Sequence, residues 1–305
     1  VSRFTMSGNT IATSTEQLLM EFEELPSTTN HNGGALEFGA DGKLYIAIGD
    51  GGTDATLSQN LNHRFGSILR INIDGSIPEN NPFYNELTGD NRAIWAYGLR
   101  NPFVIDVDPV DGRLYINDVG GGSEFLASFE KVHDGKTGSN YGWPVYDGQD
   151  PEANAPDNYQ PALYTYRTGG DGCAITGGSF YRAAVPLFPS AYNGDYFFGD
   201  YCNGWLRVYD ADTETVSVFA DELGFGLVAL ATGPDGALYY LQQSRLGRIT
   251  YDGFDLVDDD IITPADALYV LNRAGSSDMA LDFNGDGMVT GTDADEVLAR
   301  IGLTP

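Results

Sequence analysis

Three stretches of this chain repeat one phrase: Asp41-Gly42-Lys43-Leu44-Tyr45, Asp111-Gly112-Arg113-Leu114-Tyr115 and Asp235-Gly236-Ala237-Leu238-Tyr239, each preceded by an apolar run. Asp-Gly between two such segments supplies the positive φ of a tight antiparallel turn, so each copy predicts a hairpin. The copies stand 70 and 124 residues apart. At roughly 45–50 residues per blade, that spacing fits radial repetition of sheet blades, with units that lost the phrase in the longer interval, at 174–181 and 195–201. About five blades fit before residue 252 by this reasoning. A sandwich of hairpins is the alternative for the same pattern.

The composition points the same way. Of 305 residues 42% are hydrophobic and 12% aromatic, enough to bury a large core. The 39 glycines, beside many Tyr and Phe, favour short strands and tight turns over helices. The expected class is all-β, a propeller of four-stranded blades over residues 1–252, followed by a small module over 253–305. Residues 1–6 and 17–22 read as two short half-buried strands with no initiating loop, as in a chain that begins part-way through a fold.

A formal net charge of −28 excludes nucleic acid as a partner, which needs clustered Lys and Arg to displace counterions. It suits a solvated acidic surface and leaves divalent cations as partners. No run reaches the roughly 18 apolar residues of a membrane-spanning helix, so a soluble chain is expected, any signal peptide already removed. Cys173 and Cys202 are the only cysteines. Without metal-ligand spacing or a redox motif, they read as a disulfide or as two inert buried thiols.

Two places carry chemistry. Asn30-His31-Asn32-Gly33-Gly34 sets a histidine at the mouth of a strand, in reach of the strand that ends at Gly49-Asp50. A rigid sheet can present a proton acceptor there, although a lone loop histidine serves as readily to tie its loop down. In the tail, Asp282, Asn284, Asp286, Gly287, Met288, Thr290 and Asp293 fall on the residues of a twelve-residue calcium loop, with Asp293 in place of the usual Glu. A weaker copy aligns Asp255, Asp259, Ile261 and Asp266, with Val257 at its third position and no glycine at its sixth. Each loop precedes a helix-like piece, 264–273 and 292–301, and helix caps are the alternative use of these acids.

Several phrases in order, His31-Asn32-Gly33-Gly34, Gly49-Asp50-Gly51-Gly52, Ile68-Leu69-Arg70-Ile71, Ile94-Trp95-Ala96-Tyr97-Gly98-Leu99-Arg100-Asn101-Pro102, Asp118-Val119-Gly120 and Asn140-Tyr141-Gly142-Trp143-Pro144, resemble the glucose/sorbosone dehydrogenase family of soluble PQQ-dependent sugar dehydrogenases. The resemblance runs from about residue 1 to 250. It implies a six-bladed propeller, here lacking an N-terminal blade or closing with five. It also implies a secreted protein oxidising a carbohydrate with PQQ and calcium. His31 stands at the family's general base, Arg100 and Asn101 at its cofactor contacts, and Gly120 and Gly121 where carbonyls hold the active-site calcium. Cys173 and Cys202 match a divergent branch in which a disulfide would join adjacent blades. The tail, 253–305, is similar to type I dockerin repeats, which implies a cohesin-like or cell-surface partner.

The chain also departs from the family. Its usual pair of adjacent acids is broken into Glu124-Phe125 and Phe129-Glu130, leaving Glu124 as the metal candidate. The later strands that carry cationic PQQ contacts read Phe197-Phe198-Gly199-Asp200-Tyr201-Cys202 and Gly226-Leu227-Val228-Ala229-Leu230, without a base. A non-catalytic carbohydrate- or protein-binding propeller, or a metal-assisted carbohydrate hydrolase using His31 and Asp50, are the competing expectations.

Overall fold

The computed structural model describes residues 1–22, 28–121, 128–147, 155–185, 187–251, 253–257 and 261–301. Two short ribbons come first, from β1 (Ser2–Arg3), β2 (Met6–Ser7), β3 (Thr10–Ile11) and β4 (Gln17–Leu18), pairing β1 with β4 and β2 with β3. Four antiparallel sheets follow in chain order. The first holds β5 (Leu36–Phe38), β6 (Leu44–Ile48), β7 (Ser67–Ile71) and β8 (Ile94–Tyr97). The second holds β9 (Pro102–Val107), β10 (Leu114–Asp118), β11 (Phe129–Asp134) and β12 (Tyr164–Arg167). The third holds β13 (Ile175–Phe180), β14 (Tyr196–Asp200), β15 (Leu206–Asp210) and β16 (Thr215–Ala220). The last has three strands, β17 (Leu227–Thr232), β18 (Leu238–Gln242) and β19 (Arg245–Ile249).

Alternation along the strands explains why these sheets stack face to face. Side chains of a strand point to opposite faces in turn, so one strand can feed two cores. Leu114 and Ile116 pack with Tyr45, Ile68 and Trp95 of the first sheet. Tyr115, between them, packs with Phe180, Tyr196 and Phe198 of the third. Phe197, between Tyr196 and Phe198, turns instead to Leu227, Leu230 and Leu238 of the last. The free face of the first sheet, at Leu44, Ile46, Leu69 and Ile94, is covered by Met20, Val1 and Phe22 from the opening segment. Strand β9 packs against β5 and β13, β13 packs against β17, and all four line one cavity of about 590 Å³. The arrangement is propeller-like, with the first strand of each sheet innermost.

All three Asp-Gly phrases form the first hairpin of a sheet, joining β5 to β6, β9 to β10 and β17 to β18. The expectation for the interval between the second and third copies needs correction. Residues 174–181 and 195–201 are not separate units: they pair as neighbours, Ile175 with Asp200 and Phe180 with Tyr196. The third sheet reaches its own turn glycine, Gly194 at φ 102°, through a long connection over 181–195, so the sequence signal is stretched rather than lost. The disulfide expectation is corrected in one respect. Cys173 and Cys202 are bonded, with Cα atoms 5.6 Å apart, but the bond closes the ends of β13 and β14 within one sheet and does not join adjacent ones.

Beyond the sheets lie helices α1 (Pro264–Leu271) and α2 (Gly291–Leu298), as the sequence predicts. Each opens with a capping box, Thr263 with Asp266 and Thr290 with Asp293, which satisfies the orphan N–H groups of the first turn. Phe254, Ile262, Val270, Leu281, Phe283, Val289 and Val297 form a core of their own.

Asp200 is wholly buried at the end of β14 and accepts hydrogen bonds from the backbone N–H groups of Cys173, Ala174, Cys202 and Asn203 and from the Tyr166 hydroxyl. Replacing it by alanine orphans these donors together. Asp200→Ala is expected to cost at least about 3 kcal/mol in urea unfolding. A loss below about 1 kcal/mol would contradict this account.

Candidate functional site

The loops that enter β5 and β9 lie side by side and carry His31 and Arg100. Both line a pocket of about 160 Å³ together with Asp50, Gly52, Thr53, Ala55 and Trp143. The local sequence explains the closeness. His31 has φ 54°, and its carbonyl passes so near Gly49 that a Cβ there would lie 1.9 Å from the oxygen, so no other residue fits at 49. Gly51 N–H then donates to the His31 carbonyl at 3.2 Å, and Asp50 N–H to the Arg100 carbonyl at 2.8 Å.

Asp50, 2% exposed, organises the pocket. Its Oδ1 lies 2.8 Å from His31 Nδ1 and accepts from Gly52 N–H at 2.8 Å, while Oδ2 accepts from Trp143 Nε1 at 2.8 Å. A carboxylate oxygen accepts, so this bond pairs Asp50 with the tautomer of His31 that carries its proton on Nδ1 and leaves Nε2 as the acceptor nitrogen. The cluster is therefore built to hold one tautomer of one imidazole.

Arg100 forms the opposite wall. Its guanidinium lies 5.5 Å from the Trp143 ring centroid and donates through Nη1 to the Val119 carbonyl at 3.2 Å. Its Nε is buried without a partner among the described residues. Asn101 plays a different part from a simple ligand contact: its Oδ1 accepts from Gly33 N–H at 3.1 Å, tying the two loops together.

Behind this wall is a buried charge cluster. Asp118, 1% exposed, accepts from the N–H groups of Arg100 at 3.1 Å and Asn101 at 2.7 Å. Burial would raise its pKa, but Lys131 Nζ at 3.6 Å, His133 and these N–H groups hold it down at about 2. Lys131 is buried with Asp118 on one side and Asp147 on the other, and the two carboxylates raise its pKa against the effect of burial. Burial keeps the His133 pKa low, and neither ring nitrogen has a hydrogen-bond partner among the described residues, Nε2 standing 3.9 Å from Asp118 Oδ2.

The other expected site residues are placed less centrally. Gly120 N–H donates to Glu130 at 3.0 Å, the Gly121 carbonyl accepts from Ser128 at 2.7 Å, and neither glycine lines the His31 pocket. Glu124 and Asp259 lie outside the described residues. In the tail, Asp282 accepts from the N–H groups of Asp286 and Gly287, and Asp286 from that of Met288. Asp293 accepts from those of Phe283 and Thr290, and Asp266 from those of Leu256 and Thr263 in the equivalent place. Asp255 and Ile261 belong to this first loop. Among the described residues only Cys173, Asp200 and Cys202 bring three His, Cys, Asp or Glu ligand atoms within 4.8 Å of one another, and there both sulfurs are spent in the disulfide. Trp143 Nε1 and Lys131 were not foreseen as partners in the site. For Lys131 a signal existed: Glu130, Lys131 and His133 share one strand, so alternation must bury at least one charge.

The model of the family described as Glucose / Sorbosone dehydrogenase matches residues 1–251. The chain belongs to this family. Among its relatives is the aldose sugar dehydrogenase YliI of Escherichia coli K12, 32% identical over 252 residues, covering 75% of this chain and 62% of that protein. The chain thus spans about three fifths of that relative's length. The human Hedgehog-interacting protein is 29% identical over 205 residues, 64% of this chain and 26% of that one. Among solved structures, the soluble aldose sugar dehydrogenase of Escherichia coli in its apo-form is similar at TM-score 0.62 and 27% identity, over 76% of this chain and 67% of that one. The PQQ-bound aldose sugar dehydrogenase of Streptomyces coelicolor shares the fold at TM-score 0.56 and 23% identity, over 72% and 58%. No helix among the described residues is long and apolar enough to cross a membrane.

Glu130, fully buried behind Gly120, gives a pH prediction. It accepts from Gly120 and Ile175 N–H and from Thr168, yet burial outweighs these bonds and lifts its pKa from 4.5 to about 7. Between those values the folded chain holds a proton that the unfolded chain has released, so stability falls as pH rises from about 4.5 through 7. Asp118 contributes the opposite slope, below its unfolded value near 3.8. The melting temperature is expected to drop between about pH 5 and 7.5, and less steeply in Glu130→Gln. Equal slopes in the two proteins would refute the assignment.

Proposed function

We propose that this family member oxidises the anomeric hydroxyl of a carbohydrate, with His31 as general base. The observation that carries the proposal is the Asp50–His31 pair at 2.8 Å, which holds the imidazole by Nδ1 beside a pocket lined by Arg100 and Trp143. A neutral imidazole accepts a proton near pH 7, and a fixed tautomer spares the cost of orienting it at the moment of reaction. The unpartnered Nε of Arg100 fits a carboxylate or carbonyl oxygen of PQQ, and Asn101 steadies both loops. Bound in that seat, PQQ would supply a two-electron acceptor; the chain's own part is to orient His31 through Asp50 and take the hydroxyl proton at its free ring nitrogen. Binding of PQQ in the Streptomyces coelicolor structure supports this reading.

A second reading is favoured by a specific feature. The residues entering β13 and β17, 168–174 and 221–226, include no Lys or Arg of their own, and the Arg245 guanidinium that reaches the second of these loops is engaged by the Leu223 carbonyl, Gln242 and the Tyr240 hydroxyl. A propeller that binds carbohydrate or protein without turnover fits these loops, in line with the likeness to the Hedgehog-interacting protein. In the same proposal residues 253–305 form a separate dockerin-like calcium-binding module, and the disulfide suits an extracellular or cell-surface setting. Oxygen-only donors at Asp282, Asn284, Asp286, the Met288 carbonyl and Asp293 suit a hard cation. Gly285 at φ 75° and Gly287 at φ 89° wind the loop inward.

With PQQ, calcium and a dye acceptor, a panel of aldoses should give dye reduction. His31→Gln is expected to lower the rate about 10²–10⁴-fold while the spectral titration of PQQ persists. No dye reduction with any sugar, together with no spectral change on adding PQQ, would hand the case to the binding reading.

A further inference from the structure

The loop that replaces a tight turn in the third sheet is the one that touches the tail. Within 181–195, Ala191 N–H donates to the Phe283 carbonyl at 3.3 Å, and the Phe188 carbonyl accepts from Arg300 Nη2 at 2.6 Å. Arg300 is 3% exposed, lies 4.2 Å from the Phe254 ring centroid and bonds Glu296 at 2.8 Å. Phe188 is a hub of the propeller core, stacked on Tyr181 at 4.7 Å and touching Phe197 and Phe219. Tyr251 bridges the two parts, with its ring near Phe188, Phe254 and Phe283.

Phe283 is the second residue of the calcium-type loop. Its N–H donates to Asp293 Oδ1 at 2.8 Å while its carbonyl faces Ala191, so the last residue of the loop and the propeller hold the two sides of one peptide-linked residue. The arginine of the first repeat is used differently. Arg273, the counterpart of Arg300 by position in the repeat, lies 3.5 Å over its own Tyr269 ring and donates to the Tyr269 carbonyl.

We propose that the tail is a calcium-dependent clamp on the propeller: a cation bound in loop 282–293 tightens Phe283 and Arg300 onto the 181–195 connection and stabilises the third and last sheets. The proposal rests on the calcium reading of that loop. It requires calcium to be felt far from where it binds.

The three tryptophans, Trp95, Trp143 and Trp205, all lie in the propeller, so their fluorescence reports its unfolding and not that of the tail. The full chain should take up calcium in calorimetry, and calcium should raise the tryptophan-monitored melting temperature by about 5 °C relative to chelator. Asp286→Ala should lose one equivalent of calcium and the shift with it. Arg300→Met should keep the uptake and lose the shift, whereas Arg273→Met should keep both. Should Arg300→Met fail to fold, Arg300→Lys, which keeps the charge without the fork, serves in its place. Calcium uptake with an unmoved wild-type transition would overturn the clamp alone. A shift persisting in Asp286→Ala would assign it to another cation site and overturn the clamp as well. No uptake at all would defeat the calcium reading, and the clamp with it.

Discussion

A single buried polar side chain, six residues after the hairpin glycine, ties each of the last three sheets to the loop that feeds it. Asp118 takes the N–H groups of Arg100 and Asn101, and Asp200 takes those of Cys173 and Ala174. Gln242 gives its amide to the carbonyls of Leu223 and Gly224. Loops entering an innermost strand have no sheet partner of their own, and buried backbone groups must be paired. This polar tie is what makes that end of the propeller a rigid platform.

The first sheet breaks the rule in an informative way. The same position holds Ile48, and the entry loop is secured instead by close packing on Gly49 and by the Asn101 amide. Asp50, two residues further on, bonds only Gly52 N–H of its own loop and turns the rest of its carboxylate to His31 and Trp143. Where three sheets spend a polar group on architecture, the first has one turned to a pocket. Arg100 joins the two uses, since its backbone belongs to the tie at Asp118 while its side chain walls the pocket.

The legibility of this chain follows the range of the interactions involved. The Asp-Gly hairpins, the alternating strands and the capped helices are local, and each was readable within a dozen residues. His31 could be placed at the mouth of a strand for the same reason, whereas Arg100 was named by the family resemblance alone. The pairing of 174–181 with 195–201 was not readable, because the turn chemistry that marks such a pair elsewhere is spread over a connection that packs against residues about a hundred positions later. The disulfide could be foreseen as a bond, but its span within one sheet depends on that hidden pairing. Trp143 reaches Asp50 from the neighbouring sheet, and no spacing in the sequence announces a contact that only stacking creates.

The bond between Trp143 and Asp50 has a consequence for how the site comes into being. It closes 93 residues of chain, whereas His31 lies only 19 residues before Asp50. During synthesis the histidine, its carboxylate and Arg100 all emerge before the indole that completes the carboxylate's coordination. A chain released or cleaved before residue 143 would carry all three of these side chains and still lack the donor that holds Asp50 Oδ2. The pocket is in that sense a record of assembly: its lining is complete only once the chain between β11 and β12 has closed on the first sheet.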